Sequence, residues 1–278
     1  VSRAFRHSPH FRRLLDGAPD VPLEALAIEL AQDAYPELDP APLLARIDEL
    51  ARRARERCRP DSPARARLGQ INWVLYVEEG FRGNTDDYYD ARNSYLNDVL
   101  DRRLGIPISL GVLYAAVASR VGLTLRGVNL PAHFMLRVED DAGPIFVDAF
   151  LDGDLLDAEG CRRRIADITG GRVDLGPDGL APCEPAEVLG RMLRNLKSIY
   201  LGQGDLQAVL PVQRRLAALR PDDPAEQRDW ALLASQLDRP GEAVEALRRT
   251  LHVVPEGPEA EALRQWLKRV ARDHAERN

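Results

Sequence analysis

At Gly122 the hydrophobic pattern of this chain changes period, and that change constrains the fold more than any other feature. Before it, Leu110, Leu113, Tyr114, Val117 and Val121 recur at helical spacing behind Pro107. After it the pattern alternates by two. In HFMLRV (133–138), Phe134, Leu136 and Val138 share one face, and His133, Met135 and Arg137 share the other. TLRGVNL (124–130) and GPIFVDAF (143–150) read as flanking strands, with EDDAG (139–143) as the hairpin between the last two. Helices followed by an antiparallel meander indicate an α+β fold rather than a doubly wound parallel sheet.

The residues upstream read as helical. Asp20 is placed to cap a helix with Pro22 in its first turn, ending at Pro36, and a second starts near Pro42. A third covers roughly 64–80. FRGNTDDYYDARNSY (81–95) is rich in turn formers and reads as a solvated loop with a local helical turn. Its Asp86, Asp87 and Asp90 do not have the spacing of an EF-hand, so no metal is assigned there. A helix at about 94–104 is expected to stop at Gly105, with Asn93 or Ser94 as its cap. Residues 151–183 carry one short helix near 158–168, and 174–185 read as a linker or lid. From 186 onward the chain reads as helical.

That tail repeats itself. GDLQAVLPVQRRLAALRP (204–221) aligns with DRPGEAVEALRRTLHVVP (238–255) at a period of 34, the tetratricopeptide spacing. Each helix pair of such a repeat buries its apolar face only by stacking on a neighbour. The division expected from these patterns is an α+β domain over 1–183 and a helical-repeat domain over 184–278.

Composition excludes several function classes. The net charge of -6 argues against nucleic-acid binding, which shows a basic footprint. Cys58, Cys161 and Cys183 are widely spaced, with no C-x-x-C pair, and read as reduced thiols in a cytoplasmic protein. The first 17 residues lack the apolar core of a secretory signal, and no apolar run is long enough for a membrane span. No cofactor is implied. His7 and His10, placed in a mobile N-terminus, and His252 are not read as ligands.

The chemistry-bearing candidates are Ser109, His133 and Asp148. Ser109 lies in the first turn of a helix, where the amide groups and the helix dipole favour negative charge, and equally where Ser serves as a structural cap. His133 opens one strand and Asp148 ends the next. Pairing them directly centres the hairpin between Asp140 and Asp141, inside the expected loop, and brings the carboxylate onto the imidazole's face. Asn97 and Asn129 are secondary pocket candidates.

The blocks GNTDDYYDARNSYLNDVLDRRLGIPISLGVLY (83–114), GVNLPAHFMLRV (127–138) and IFVDAF (145–150) resemble the bacterial SirB family. Its members resemble transglutaminase-like, papain-fold domains followed by tetratricopeptide repeats. The resemblance spans about 20–260. It implies a Cys-His-Asp site whose positions are filled here by Ser109, His133 and Asp148, with oxygen in place of sulfur. A hydroxyl is far harder to deprotonate than a thiol, so thioester-type crosslinking is not expected. Three readings follow: a protein- or peptide-binding protein acting through the helical tail, a scaffold or regulator, and a serine hydrolase or acyltransferase with Ser109 as nucleophile.

Overall fold

The computed structural model describes residues 5–176 and 178–276. The chain forms two compact units that divide between Met192 and Leu193. The first opens with helices α1 (Pro9–Leu15), α2 (Leu23–Ala34), α3 (Pro40–Glu56) and α4 (Ala64–Asn72), the last continuing into a π-helical turn over Trp73–Glu78. Next come β1 (Arg82–Gly83), a 3₁₀ turn (Ala91–Asn93), α5 (Leu96–Arg102), β2 (Leu104–Gly105) and α6 (Pro107–Arg120). The four strands β3 (Arg126–Leu130), β4 (His133–Val138), β5 (Ile145–Asp148) and β6 (Asp154–Leu156) form an antiparallel meander in that order. The unit continues through α7 (Ala158–Thr169) and ends at Met192, within α8 (Pro185–Gln203). The α+β class therefore holds.

α6 is the central element. Every residue from Pro107 to Ala118 is buried, which explains why its sequence is apolar on all sides rather than along one stripe. α2, α3, α4 and α5 pack around it, and β4 lies against it. Gly111 permits that approach, because a Cβ there would stand 2.7 Å from the ring of Phe134.

Several local expectations are revised. The cap of α2 is Pro22 rather than Asp20, and the third helix turns π-helical at Trp73. α5 ends on Arg103, which itself takes the left-handed conformation at φ 57°, while Gly105 belongs to β2. Glycine is needed at 105 for space: a Cβ would fall 2.9 Å from Ser109 Oγ. The cap of α5 is Tyr95, not Asn93 or Ser94. Asn93 instead organises the preceding loop, donating to the carbonyls of Asp87 and Tyr88 and accepting from Asn84 and Arg102.

His10 lies within α1, its Nδ1 2.8 Å from Glu29 Oε1, not in a mobile tail. The 174–185 segment is anchored rather than a free linker: Leu180 is buried and Cys183 donates its N–H to Gly127 of β3.

The second unit contains α9 (Leu206–Leu219), α10 (Pro224–Gln236), α11 (Pro240–Val253) and α12 (Pro258–Glu276), together with the end of α8 (Pro185–Gln203). α9 and α11 begin and end 34 residues apart, as the repeat predicts. Their shared core holds Val209, Ala217, Trp230, Ala243, Leu247 and Leu263. Asp205 and Asp223 cap α9 and α10 by accepting from Ala208 and Ala225 N–H.

Candidate functional site

The β4–β5 register places Leu136 opposite Val147 and Val138 opposite Ile145. The hairpin centre thus lies between Asp141 and Ala142, one residue beyond the expected position. His133 and Asp148 are therefore not directly opposed. A shift of two in pairing preserves the face, however, so they meet diagonally. His133 Nε2 lies 2.9 Å from Asp148 Oδ1. At that distance the ring nitrogen is out of line for a hydrogen bond.

Asp148 is fully buried and has two further partners. Oδ1 accepts the Phe150 N–H at 3.2 Å, and Oδ2 accepts from Arg164 Nη1 at 2.6 Å. Arg164 projects from α7, and its other terminal nitrogen donates to Asp154 of β6 at 2.8 Å. This guanidinium is the functional-site residue the sequence reading missed. No motif marks it, because α7 lies outside the blocks that carry the family resemblance.

Strand alternation turns His133 and Asp148 toward α7, whereas α6 meets the sheet through Phe134 on the other face. Cys161 of α7 is buried on the same side as the pair, with its sulfur 3.4 Å from that of Met135. Burial, reinforced by the charges of Asp148 and Asp157, pushes its thiol up to about 12. It is an inert thiol rather than a substitute nucleophile.

Ser109 is the third residue of α6, behind Pro107. Its hydroxyl donates to the carbonyl of Asn93 at 2.5 Å and accepts the N–H of Ile106 at 3.1 Å. The side chain is 1% exposed. All the polar partners of this oxygen are backbone atoms, since its remaining contact is the Ile106 carbonyl at 3.2 Å. The Ser therefore closes the helix start onto the 3₁₀ turn, and His133 does not share its hydrogen bonds.

The two asparagines are not drawn into this group. Asn97 sits on α5 with its Oδ1 buried and unbonded. Asn129 pairs with Phe134, on the sheet face away from His133, and its Oδ1 is likewise unbonded. Among the described residues, no cluster of three His, Cys, Asp or Glu is placed to hold a metal.

The profile described as transglutaminase-like superfamily matches residues 41–194. The chain belongs to that superfamily. A tetratricopeptide repeat profile matches 196–268 of this transglutaminase-like chain. A UPF0162 protein of Xylella fastidiosa (strain 9a5c) is 36% identical over 241 residues, covering 84% of this chain and 85% of its own length. A UPF0162 protein of Vibrio cholerae is 29% identical over 210 residues, covering 75% and 77%. F-box only protein 21 of Mus musculus is 39% identical over 145 residues, which is 49% of this chain and 22% of that one. Among solved structures, menin overlaps 88% of this chain and 69% of its own at a TM-score of 0.36 and 10% identity, too remote to carry an argument.

Proposed function

We propose that this chain is a protein-binding, scaffold or regulatory protein whose transglutaminase-like core keeps the framework of a Cys-His-Asp site without its chemistry. The observation that carries this reading is the bonding of Ser109. A nucleophilic hydroxyl must pass its proton to a base within hydrogen-bond reach. Here the proton is directed at the carbonyl of Asn93, and the lone pairs accept from Ile106. The carboxylate that would orient His133 is shared with Arg164, which lowers its pull on the imidazole.

The helical repeats support the binding half of the proposal, since tetratricopeptide repeats generally mediate protein–protein interactions. The partner is a protein or peptide engaged through that tail. A cytoplasmic setting belongs to the same reading and rests on three free thiols. No helix among the described residues is long and apolar enough to cross a membrane.

The serine-hydrolase reading keeps one observation in its favour, the 2.9 Å approach of His133 to Asp148. One experiment separates the two. A fluorophosphonate probe applied to the folded chain leaves Ser109 unlabelled if the core is non-catalytic. Labelling that disappears in Ser109→Ala overturns the proposal.

A further inference from the structure

Away from the buried pair, two cavities of about 660 and 500 Å³ share Asn72 and Asp152 as walls. Together they form a groove between the π-helical turn and the 151–155 backbone. Three independent features converge there. The first is exposed apolar surface: Trp73, Val77 and Leu151 are 45%, 61% and 45% exposed. Large exposed apolar residues gathered around one groove point to a binding surface. Trp73 is also held still. Its Nε1 donates to Glu78 at 2.9 Å, and the Arg57 guanidinium stacks 5.3 Å from its ring centroid. A large aromatic fixed before binding is the type of residue that carries interface energy.

The second feature is backbone geometry. The Trp73–Glu78 turn is widened to π-helical form, with Glu79 N–H bonded to Val74 C=O. Such turns concentrate at functional sites. Facing it, Asp152 is held at φ 53°, a left-handed strain for a residue with a side chain. Asn72 Nδ2 and Tyr76 OH clamp this loop by donating to the carbonyls of Gly153 and Ala149.

The third is an open sheet edge. The outer edge of β3 is occupied by the Cys183 N–H, whereas β6, which lines the groove through Asp154 and Leu155, is an edge strand with no further strand beside it among the described residues, its Asp154 N–H turning back to the Leu151 carbonyl. Unpaired strand edges accept extended peptides by strand addition.

Charge decides the occupant. Arg82 and Asp152 line the groove, and neither makes an ion pair among the described residues. We propose that this groove binds an extended segment of a partner protein, which adds to the edge of β6. It sets an apolar side chain on Trp73 and Val77, an acidic side chain on Arg82 and a basic one near Asp152. The inference rests on the protein-binding reading of the chain and adds a surface on its first unit, separate from the repeats.

The test is selection of a phage-displayed random 12-residue library on the purified full-length chain. Enriched peptides are then synthesised and titrated against wild type, Val77→Asp and Arg82→Glu, with circular dichroism confirming that each variant is folded. Enriched sequences combine an apolar residue with acidic and basic neighbours. Val77→Asp weakens them about tenfold or more. Arg82→Glu reverses the preference at one position from acidic to basic. Enriched peptides that both variants bind unchanged lie elsewhere; that result overturns the groove proposal and leaves the protein-binding reading standing. A chain that enriches no peptide, or that uses the groove to dimerise in sedimentation equilibrium with Val77→Asp monomeric, also overturns it.

Discussion

Replacing Ser109 by Ala separates a structural hydroxyl from a catalytic one by its effect on stability. The substitution removes one oxygen, leaves helix propensity slightly improved and creates a negligible cavity. What it strands is two backbone groups. The carbonyl of Asn93 loses its donor at 2.5 Å, and the N–H of Ile106 loses its acceptor at 3.1 Å. Asn93 and Ile106 are both buried, so water does not readily replace the lost partner. A stranded buried group costs about 1–3 kcal/mol, so two cost about 2–4 kcal/mol after partial relaxation. Because the chain has two units, a single global transition is not assured. Phe at Trp230 and Trp266 leaves Trp73 as the only indole, reporting on the first unit alone. Urea unfolding followed by its fluorescence gives the difference as a shift in midpoint at constant slope. Catalytic nucleophiles are commonly neutral or destabilising where they stand, so their removal leaves stability level or raises it. A Ser109→Ala chain as stable as the parent, or more so, refutes the structural assignment.

Other substitutions probe the same core. Arg164→Ala removes the cation from fully buried Asp148 and costs about 3 kcal/mol in the same urea assay, whereas loss of an exposed pair such as Arg163–Glu159 changes it by well under 1 kcal/mol. Gly153→Ala puts a Cβ 2.2 Å from Asn72 Oδ1 at φ 73°, and it lowers the thermal midpoint more than Gly143→Ala, whose Cβ at φ 113° meets open space. Cys161, held up at about 12, keeps its proton in the folded chain while the unfolded chain releases it near its ordinary value of 9.0. That contribution is complete below the unfolded value and is lost as pH rises toward the folded one, by about 1.4 kcal/mol per pH unit. The urea midpoint between pH 9 and 11 therefore falls more steeply for the parent than for Cys161→Ala, and parallel slopes contradict it.

The parts of the fold legible in the sequence are those with a long, uniform period. α6, the three strands β3 to β5 and the 34-residue spacing of α9 and α11 each rest on many residues that agree. What escaped depends on one or two residues, or on space. β6 is three residues long, too short for alternation to register. The π-helical turn differs from an α-helix by one residue in its bonding, which leaves the apolar spacing of Val74 and Leu75 unchanged. Arg103 takes the left-handed position, whereas Gly105 belongs to β2, where Ser109 and Leu110 leave no room for a Cβ. In the site, the diagonal meeting of His133 and Asp148 survived a hairpin displaced by one residue, because the displacement kept their parity. The local bond of Ser109 with Ile106 is the capping role the sequence offered, but its bond to Asn93 and the arrival of Arg164 were not legible, since both partners lie 16 residues away in segments whose placement depends on the finished fold.

The bridge from Arg164 to Asp148 and Asp154 also has a consequence for how the chain is made. A ribosome delivers β4 and β5 before it delivers α7. Until residue 164 has emerged, the sheet face that carries Asp148 lacks both its covering helix and its guanidinium, and burying the carboxylate without that cation would cost several kcal/mol. The sheet's final closure is therefore timed by a residue outside it. A nascent chain stalled before α7 holds β-structure that has formed early and cannot yet settle, with the outer side of β6 open to its neighbours on the same message.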